Sequence, residues 1–242
     1  DVVVNKPHVC SYRAPCVPQA VFAGEQVMDE LAQRLEMDPL ELRLKNSVEN
    51  GSRMVDGTAH EDIGAREVLE AARNHPHYGA PLEGPNRARG VAHGFWGNWG
   101  GQSSCHLTVQ TDGTVSLISG SVDVTGTRTS IAMQAAEALE IPFEQVRPAV
   151  GDTAAVGYAD LSAGSRTTVA TGKAATEAAR AVIAELKRRA ARLWEVDEEA
   201  INYTRATFRG PGDDQAMTFA ELAAQTPATG GVVTGVANIN MT

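Results

Sequence analysis

The chain has 242 residues, of which 43% are hydrophobic and 21% charged, a balance that suits a folded globular protein and excludes a disordered or fibrous one. Lys and Arg number 21 against 30 Asp and Glu, and the formal charge of -9 repels a phosphate backbone, so nucleic acid is not an expected partner. No run approaches the roughly 18 apolar residues of a membrane span, so no membrane association is expected either.

The start, Asp1-Val2-Val3-Val4-Asn5, lacks the basic flank of a signal peptide. The missing initiator Met, and the end at Ile239-Asn240-Met241-Thr242 straight after a strand-like run, lead us to expect a piece of a longer polypeptide. The first helix is expected over about residues 19–35, with Phe22, Met28, Leu31 and Leu35 buried and Glu25, Asp29 and Arg34 outward. Asp38-Pro39-Leu40-Glu41 then combines an N-cap acid, a proline at the first helical position and a glutamate three after the cap, which starts a second helix ending near Asn46. Residues 50–64, with Gly51, Ser52, Asp56 and Gly57, read as a long connection, and a boundary is expected between residues 64 and 65.

A short helix over residues 65–73 leads into a Pro- and Gly-rich loop over 74–89. Residues 90–96, 106–110 and 115–119 read as strands of an antiparallel sheet, the last two joined by a tight turn at Asp112-Gly113. An Ala-rich helix over 130–139 stops before Pro142, a strand follows over 146–150, and residues 167–194 form a long helix rich in Ala, Glu, Lys and Arg. Thr218-Phe219-Ala220-Glu221 is a capping box for a helix to about Gln225, and residues 231–237 suit a final strand. The fold class expected is α+β, two lobes of mixed sheet packed with helices: residues 1–64 in the first lobe with its connection, residues 65–242 in the second.

Three loops combine hydroxyls or glycines with an arginine immediately before a helix: Tyr12-Arg13-Ala14-Pro15, residues 124–129 and residues 163–168. Unpaired N–H groups and the dipole at a helix N-terminus favour anions, and Ser, Thr and Arg add hydrogen bonds in the same direction, so phosphate or pyrophosphate is the natural ligand; plain helix capping uses the same residue types. A fourth loop, residues 96–104, brings two indoles and the amide of Gln102 beside glycines that allow close backbone approach. Neither G-x-G-x-x-G nor G-x-x-x-x-G-K-[ST] occurs, which excludes the usual dinucleotide and triphosphate cradles. His75-Pro76-His77 is the one close histidine pair and has no carboxylate at ligand spacing, so no side-chain metal site is expected. Cys10, Cys16 and Cys105 show no paired spacing and point to a reducing compartment, the cytoplasm. Cys16 follows Arg13 at a helix start, where a thiol pKa falls, although a buried inert thiol is the expected reading. Gly151-Asp152-Thr153 reads as a turn after a strand, with no catalytic role.

Ser11-Tyr12-Arg13-Ala14-Pro15-Cys16-Val17-Pro18-Gln19-Ala20, then Met28-Asp29-Glu30-Leu31-Ala32 and Met37-Asp38-Pro39-Leu40-Glu41-Leu42-Arg43, resemble the molybdenum-binding large subunits of the xanthine dehydrogenase and aldehyde oxidase family. The resemblance continues in order through Gly100-Gly101-Gln102, Asp112-Gly113-Thr114-Val115, Ser121-Val122-Asp123 up to Thr129, Gly151-Asp152-Thr153 and Gly164-Ser165-Arg166-Thr167-Thr168. It implies that these loops wrap molybdopterin with molybdenum, in the cytosine dinucleotide form. By resemblance, Arg13 and Ala14 lie beside the metal, Gln102 near its oxo or dithiolene ligands, and Gly126, Thr127, Arg128, Thr129, Gly164, Ser165, Arg166 and Thr167 on the pterin and phosphate tail. Arg13 and Gln102 are then expected to line one cleft.

The implied reaction is hydroxylation of an aldehyde or N-heteroaromatic C–H bond with water as oxygen source, electrons leaving through Fe-S and FAD partner chains. The family's glutamate base has no counterpart here, so no catalytic residue is assigned, and a further large-subunit segment must supply it. The loop at Asp123 is also shorter and less glycine-rich than the family's common form, and Cys16 replaces a frequent glycine. A non-catalytic molybdopterin-binding or assembly module is the alternative.

Overall fold

The computed structural model describes residues 5–7, 11–152 and 154–241. Residues 2–4, His8, Cys10 and Thr153, on which some of the sequence readings fall, lie outside them. The chain forms two compact units, residues 1–96 and 97–242.

In the first unit, α1 (Val17–Arg34) and α2 (Pro39–Lys45) are followed by α3 (Ala65–Asn74) and the single turn α4 (Pro76–Gly79). Asp38 caps α2 as expected, its Oδ1 accepting the N–H groups of Leu40 and Glu41 at 2.8 and 3.0 Å. The units part at residue 96 and not at 64 because residues beyond the connection pack back: Leu69, Tyr78 and Val91 cluster with Leu40 and Leu44. Helix α1 turns a different face inward from the one expected. Phe22 and Leu35 are 70% and 58% exposed while Ala32 is buried. The cause is Arg43, a buried guanidinium that draws Glu25 and Asp29 of α1 inward at 2.7 and 2.9 Å and also donates to the carbonyls of Pro39 and Val91. The same Glu25 carboxylate accepts the His93 N–H at 2.6 Å. Side chains thereby take up the Val91 carbonyl and the His93 N–H, two groups a ladder would need, and the strand expected over 90–96 does not form.

Both sheets lie in the second unit. Strands β1 (Gly101–Val109) and β2 (Val115–Ser119) form the expected hairpin, and Asp112 Oδ1 accepts from both the N–H and the hydroxyl of Thr114 in its turn. Helix α5 (Thr127–Leu139) carries the chain to β3 (Val146–Val150), which pairs parallel to β2. After α6 (Thr167–Trp194), three short strands, β4 (Asn202–Thr204), β5 (Thr207–Arg209) and β6 (Ala216–Thr218), form a separate antiparallel sheet. Helix α7 (Phe219–Ala224), opened by the expected capping box of Thr218 and Glu221, and the turn α8 (Thr226–Thr229) precede β7 (Val233–Met241). The main sheet has the order β3-β2-β1-β7 and is mixed, where the hairpin alone suggested an antiparallel one, because α5 provides the crossover that parallel neighbours need.

The core lies between this sheet and α5 and α6. Cys105, Leu107, Val109, Val115, Leu117 and Val233 project from the sheet onto Ile131, Ala135 and Leu139 of α5 and the alanine face of α6, including Ala174, Ala178 and Val182. Small side chains let α6 lie close to β7: a Cβ added at Gly235 would stand 2.1 Å from the Ala178 carbonyl oxygen.

Candidate functional site

In the second unit the segments around Gly100, Ser121 and Gly164 come together. Their junction is Arg166, whose side chain is 1% exposed. Its Nε donates to the Gly100 carbonyl, Nη1 to the Asp160 carbonyl at 2.8 Å, and Nη2 to the Gln102 carbonyl and to Ser103 Oγ at 2.7 Å. From Ser103 a buried hydroxyl chain continues to Thr171 Oγ1 at 3.0 Å and on to Ser121 Oγ at 2.7 Å. One polar relay therefore ties the start of β1, the N-terminal end of α6 and the loop entering α5. Such a buried network rigidifies its members because each lost partner leaves an uncompensated polar group.

Asp160 completes the junction. Its Oδ2 accepts the Gln102 N–H at 2.6 Å and its Oδ1 the Tyr158 hydroxyl at 2.9 Å. These two hydrogen bonds, the backbone one first, hold its carboxyl below the usual carboxylate range. Asp160 escaped the sequence reading because its decisive partner, the Gln102 N–H, is a backbone group 58 residues away in the chain. Gly100 and Gly101, with φ of 60° and 82°, make the fit possible: a Cβ at Gly100 would stand 2.3 Å from the Met241 carbonyl oxygen, and one at Gly101 2.5 Å from Asp160 Oδ2. The close approach that these glycines permit is thus to the protein's own chain. Trp99 donates its N–H to the Gly164 carbonyl at 3.0 Å, and Asn98 Nδ2 donates to the Ser165 carbonyl at 2.7 Å.

The residues expected to meet a cofactor divide into two groups. Gln102, Gly126, Arg128, Thr129 and Ser165 are exposed. Arg166, expected to face an anion, is turned inward onto four protein acceptors, and Thr167 is buried with its hydroxyl donating to Ser162 Oγ at 3.0 Å. Thr127 Oγ1 donates to the Val122 carbonyl and accepts the Val124 N–H. At the start of α5, Asp123 already supplies a carboxylate, accepting the Arg128 N–H at 3.1 Å, with its Oδ2 3.6 Å from Arg128 Nε. Arg13 of the first unit is exposed, before α1. Ala14 has φ of 50°, not the extended backbone expected before a proline, because a turn closed by the Val17 N–H on the Ala14 carbonyl leads into the helix.

The start of α6 fits a phosphate-bearing group. It has no side-chain cap. The Ala170 N–H is the first to reach back to a carbonyl, that of Arg166, so the N–H groups of Thr167, Thr168 and Val169 have no partner within the helix. Gly164 and Ser165, both at positive φ, place the preceding turn beside them. Among the described residues no group of three His, Cys, Asp or Glu side chains could hold a metal ion.

Family models described as molybdopterin cofactor-binding domains match residues 1–47 and 58–239. The 6-hydroxypseudooxynicotine dehydrogenase complex subunit gamma of Paenarthrobacter nicotinovorans is 30% identical over 92% of this chain, and the carbon monoxide dehydrogenase large chain of Hydrogenophaga pseudoflava is 28% identical over 89%. The chain spans 30% of the length of either relative. Among solved structures, the CO dehydrogenase from Oligotropha carboxidovorans superposes with a TM-score of 0.71 at 23% identity, over 94% of this chain and 33% of its own, a likeness of fold.

Proposed function

The chain belongs to the molybdopterin cofactor-binding domain family, and from that premise we propose that it is one portion of a molybdenum hydroxylase large subunit, acting on a C–H bond of an aldehyde or an N-heteroaromatic compound. The observation that carries this reading is the Arg166–Ser103–Thr171–Ser121 relay, which gathers three of the segments in which the family resemblance lies. The cofactor, molybdopterin in its cytosine dinucleotide form, supplies the redox chemistry when bound.

The chain's own residues bind and orient. The open N–H groups at the start of α6, with Ser165, take a phosphate; Gly126, Arg128 and Thr129 border it; Gln102 offers an amide from the relay's surface. Arg13 is a cofactor-binding residue by the family resemblance. Arg166 and Thr167 act one layer behind, holding the loop in place. The proton-accepting glutamate, the Fe-S clusters and FAD belong to other segments or chains. The free thiols Cys16 and Cys105 support a reducing location, the cytoplasm, and no helix among the described residues is long and apolar enough to cross a membrane.

Metal and pterin analysis of the purified protein, with steady-state hydroxylation assayed using an artificial electron acceptor, tests this reading. The lone chain should not turn over, since general-base assistance is worth about 10²–10⁴-fold, and the chain reconstituted with its completing partners should. Turnover by the 242 residues alone overturns the division of labour; absence of molybdenum and pterin from the reconstituted complex overturns the cofactor role.

A further inference from the structure

The two edges of the main sheet differ in kind. Strand β3 carries Arg147 and Pro148, and a proline removes a ladder N–H, so this edge is blunted against further pairing. Strand β7 pairs with β1 along all nine of its residues and is the last strand on its side. Its sequence, Val-Thr-Gly-Val-Ala-Asn-Ile-Asn-Met, has no proline and no charge. Val236 in its middle is 49% exposed. Helix α6 covers one face of β7 at Gly235, but among the described residues no strand covers its outer edge. A long, uncharged, unblunted edge presents a row of N–H and C=O groups ready for another strand, and native proteins guard such edges unless they are used.

The geometry points to β7 as the seam along which this chain joins the rest of its large subunit: an extended segment from the portion outside these residues adds to β7 as a fifth strand of the sheet. The inference rests on the reading of the chain as part of a large subunit, and the occupant follows from length, since the relatives are about three times as long as the stretch this chain matches. With β3 blunted, addition occurs on one side and the sheet does not polymerise.

The test is amide hydrogen exchange over residues 233–241, measured in the chain alone and in the chain co-expressed with polypeptides that complete a large subunit of the relatives' length. The outward-facing amides should exchange quickly in the lone chain and at least about tenfold more slowly in the complex. Val236→Lys, at an exposed position that folding tolerates, should weaken association at least about tenfold, while Ala149→Lys on the β3 edge should leave it unchanged. Association with no gain of protection at β7 overturns the seam and leaves the large-subunit reading standing. No association at all overturns both. Protection of β7 in a concentration-dependent dimer of the lone chain assigns the edge to a second copy and overturns the proposal.

Discussion

The Arg166 guanidinium donates to the Ser103 hydroxyl at 2.7 Å, with both side chains buried, so the loop before the long helix is anchored to the first strand from beneath. The arginine that reads in sequence as an anion ligand is, in the fold, the support under the loop that precedes α6.

Arg166→Ala should therefore destabilise the protein before any cofactor is considered. Removing the guanidinium takes a donor from the carbonyls of Gly100, Gln102 and Asp160 and from the Ser103 hydroxyl, of which Gln102 keeps the Asp160 N–H and Ser103 keeps Thr171. The expected loss is at least about 3 kcal/mol, read from urea denaturation of the cofactor-free protein. Unchanged stability would return Arg166 to a ligand-facing role.

Gly101→Ala should cost about 1–3 kcal/mol, because the new methyl meets Asp160 Oδ2 and the residue sits at a positive φ. Gly126→Ala, where a Cβ meets nothing within 4 Å, carries the backbone strain alone and should cost less. Equal losses would show that the Asp160 contact is unimportant.

Asp160 makes stability depend on pH. Its folded pKa is depressed by the Gln102 N–H and the Tyr158 hydroxyl, so its contribution is present above the unfolded value of about 4 and is lost as pH falls through the lower folded value. The gap in thermal midpoint between the native protein and Asp160→Asn should be full at neutral pH and shrink below about pH 4. A gap constant across that range contradicts the assignment.

Cys105 and Cys16 should separate in alkylation. Burial pushes the Cys105 thiol up to about 12, which keeps it protonated and unreactive at pH 8, whereas Cys16 is exposed. Peptide mapping after brief iodoacetamide treatment should find Cys16 modified and Cys105 modified only after unfolding. Labelling of Cys105 in the native protein would mean that the sheet opens locally.

Arg13→Ala should leave folding within about 0.5 kcal/mol of native, as an exposed side chain does. It should lower molybdenum and pterin content at least tenfold, the loss of one charge-assisted hydrogen bond of about 1.5–3 kcal/mol. Unaltered cofactor content in a folded variant removes Arg13 from the site.

Features governed by neighbours in sequence were legible without a structure. The bounds of α6, the Asp38 cap, the Asp112-Gly113 turn and the Thr218–Glu221 capping box all arise from groups within a few residues of each other, so their chemistry is written locally. The order of the family motifs was legible for the same reason. What only the tertiary structure decided were the destinations of side chains and edges. Arg166 finds carbonyls more than sixty residues away, Arg43 selects which face of α1 is buried, α5 sets β3 parallel to β2, and strands of three residues acquire a sheet only from partners. A guanidinium goes where unpaired acceptors are, and those acceptors exist only once distant segments have met.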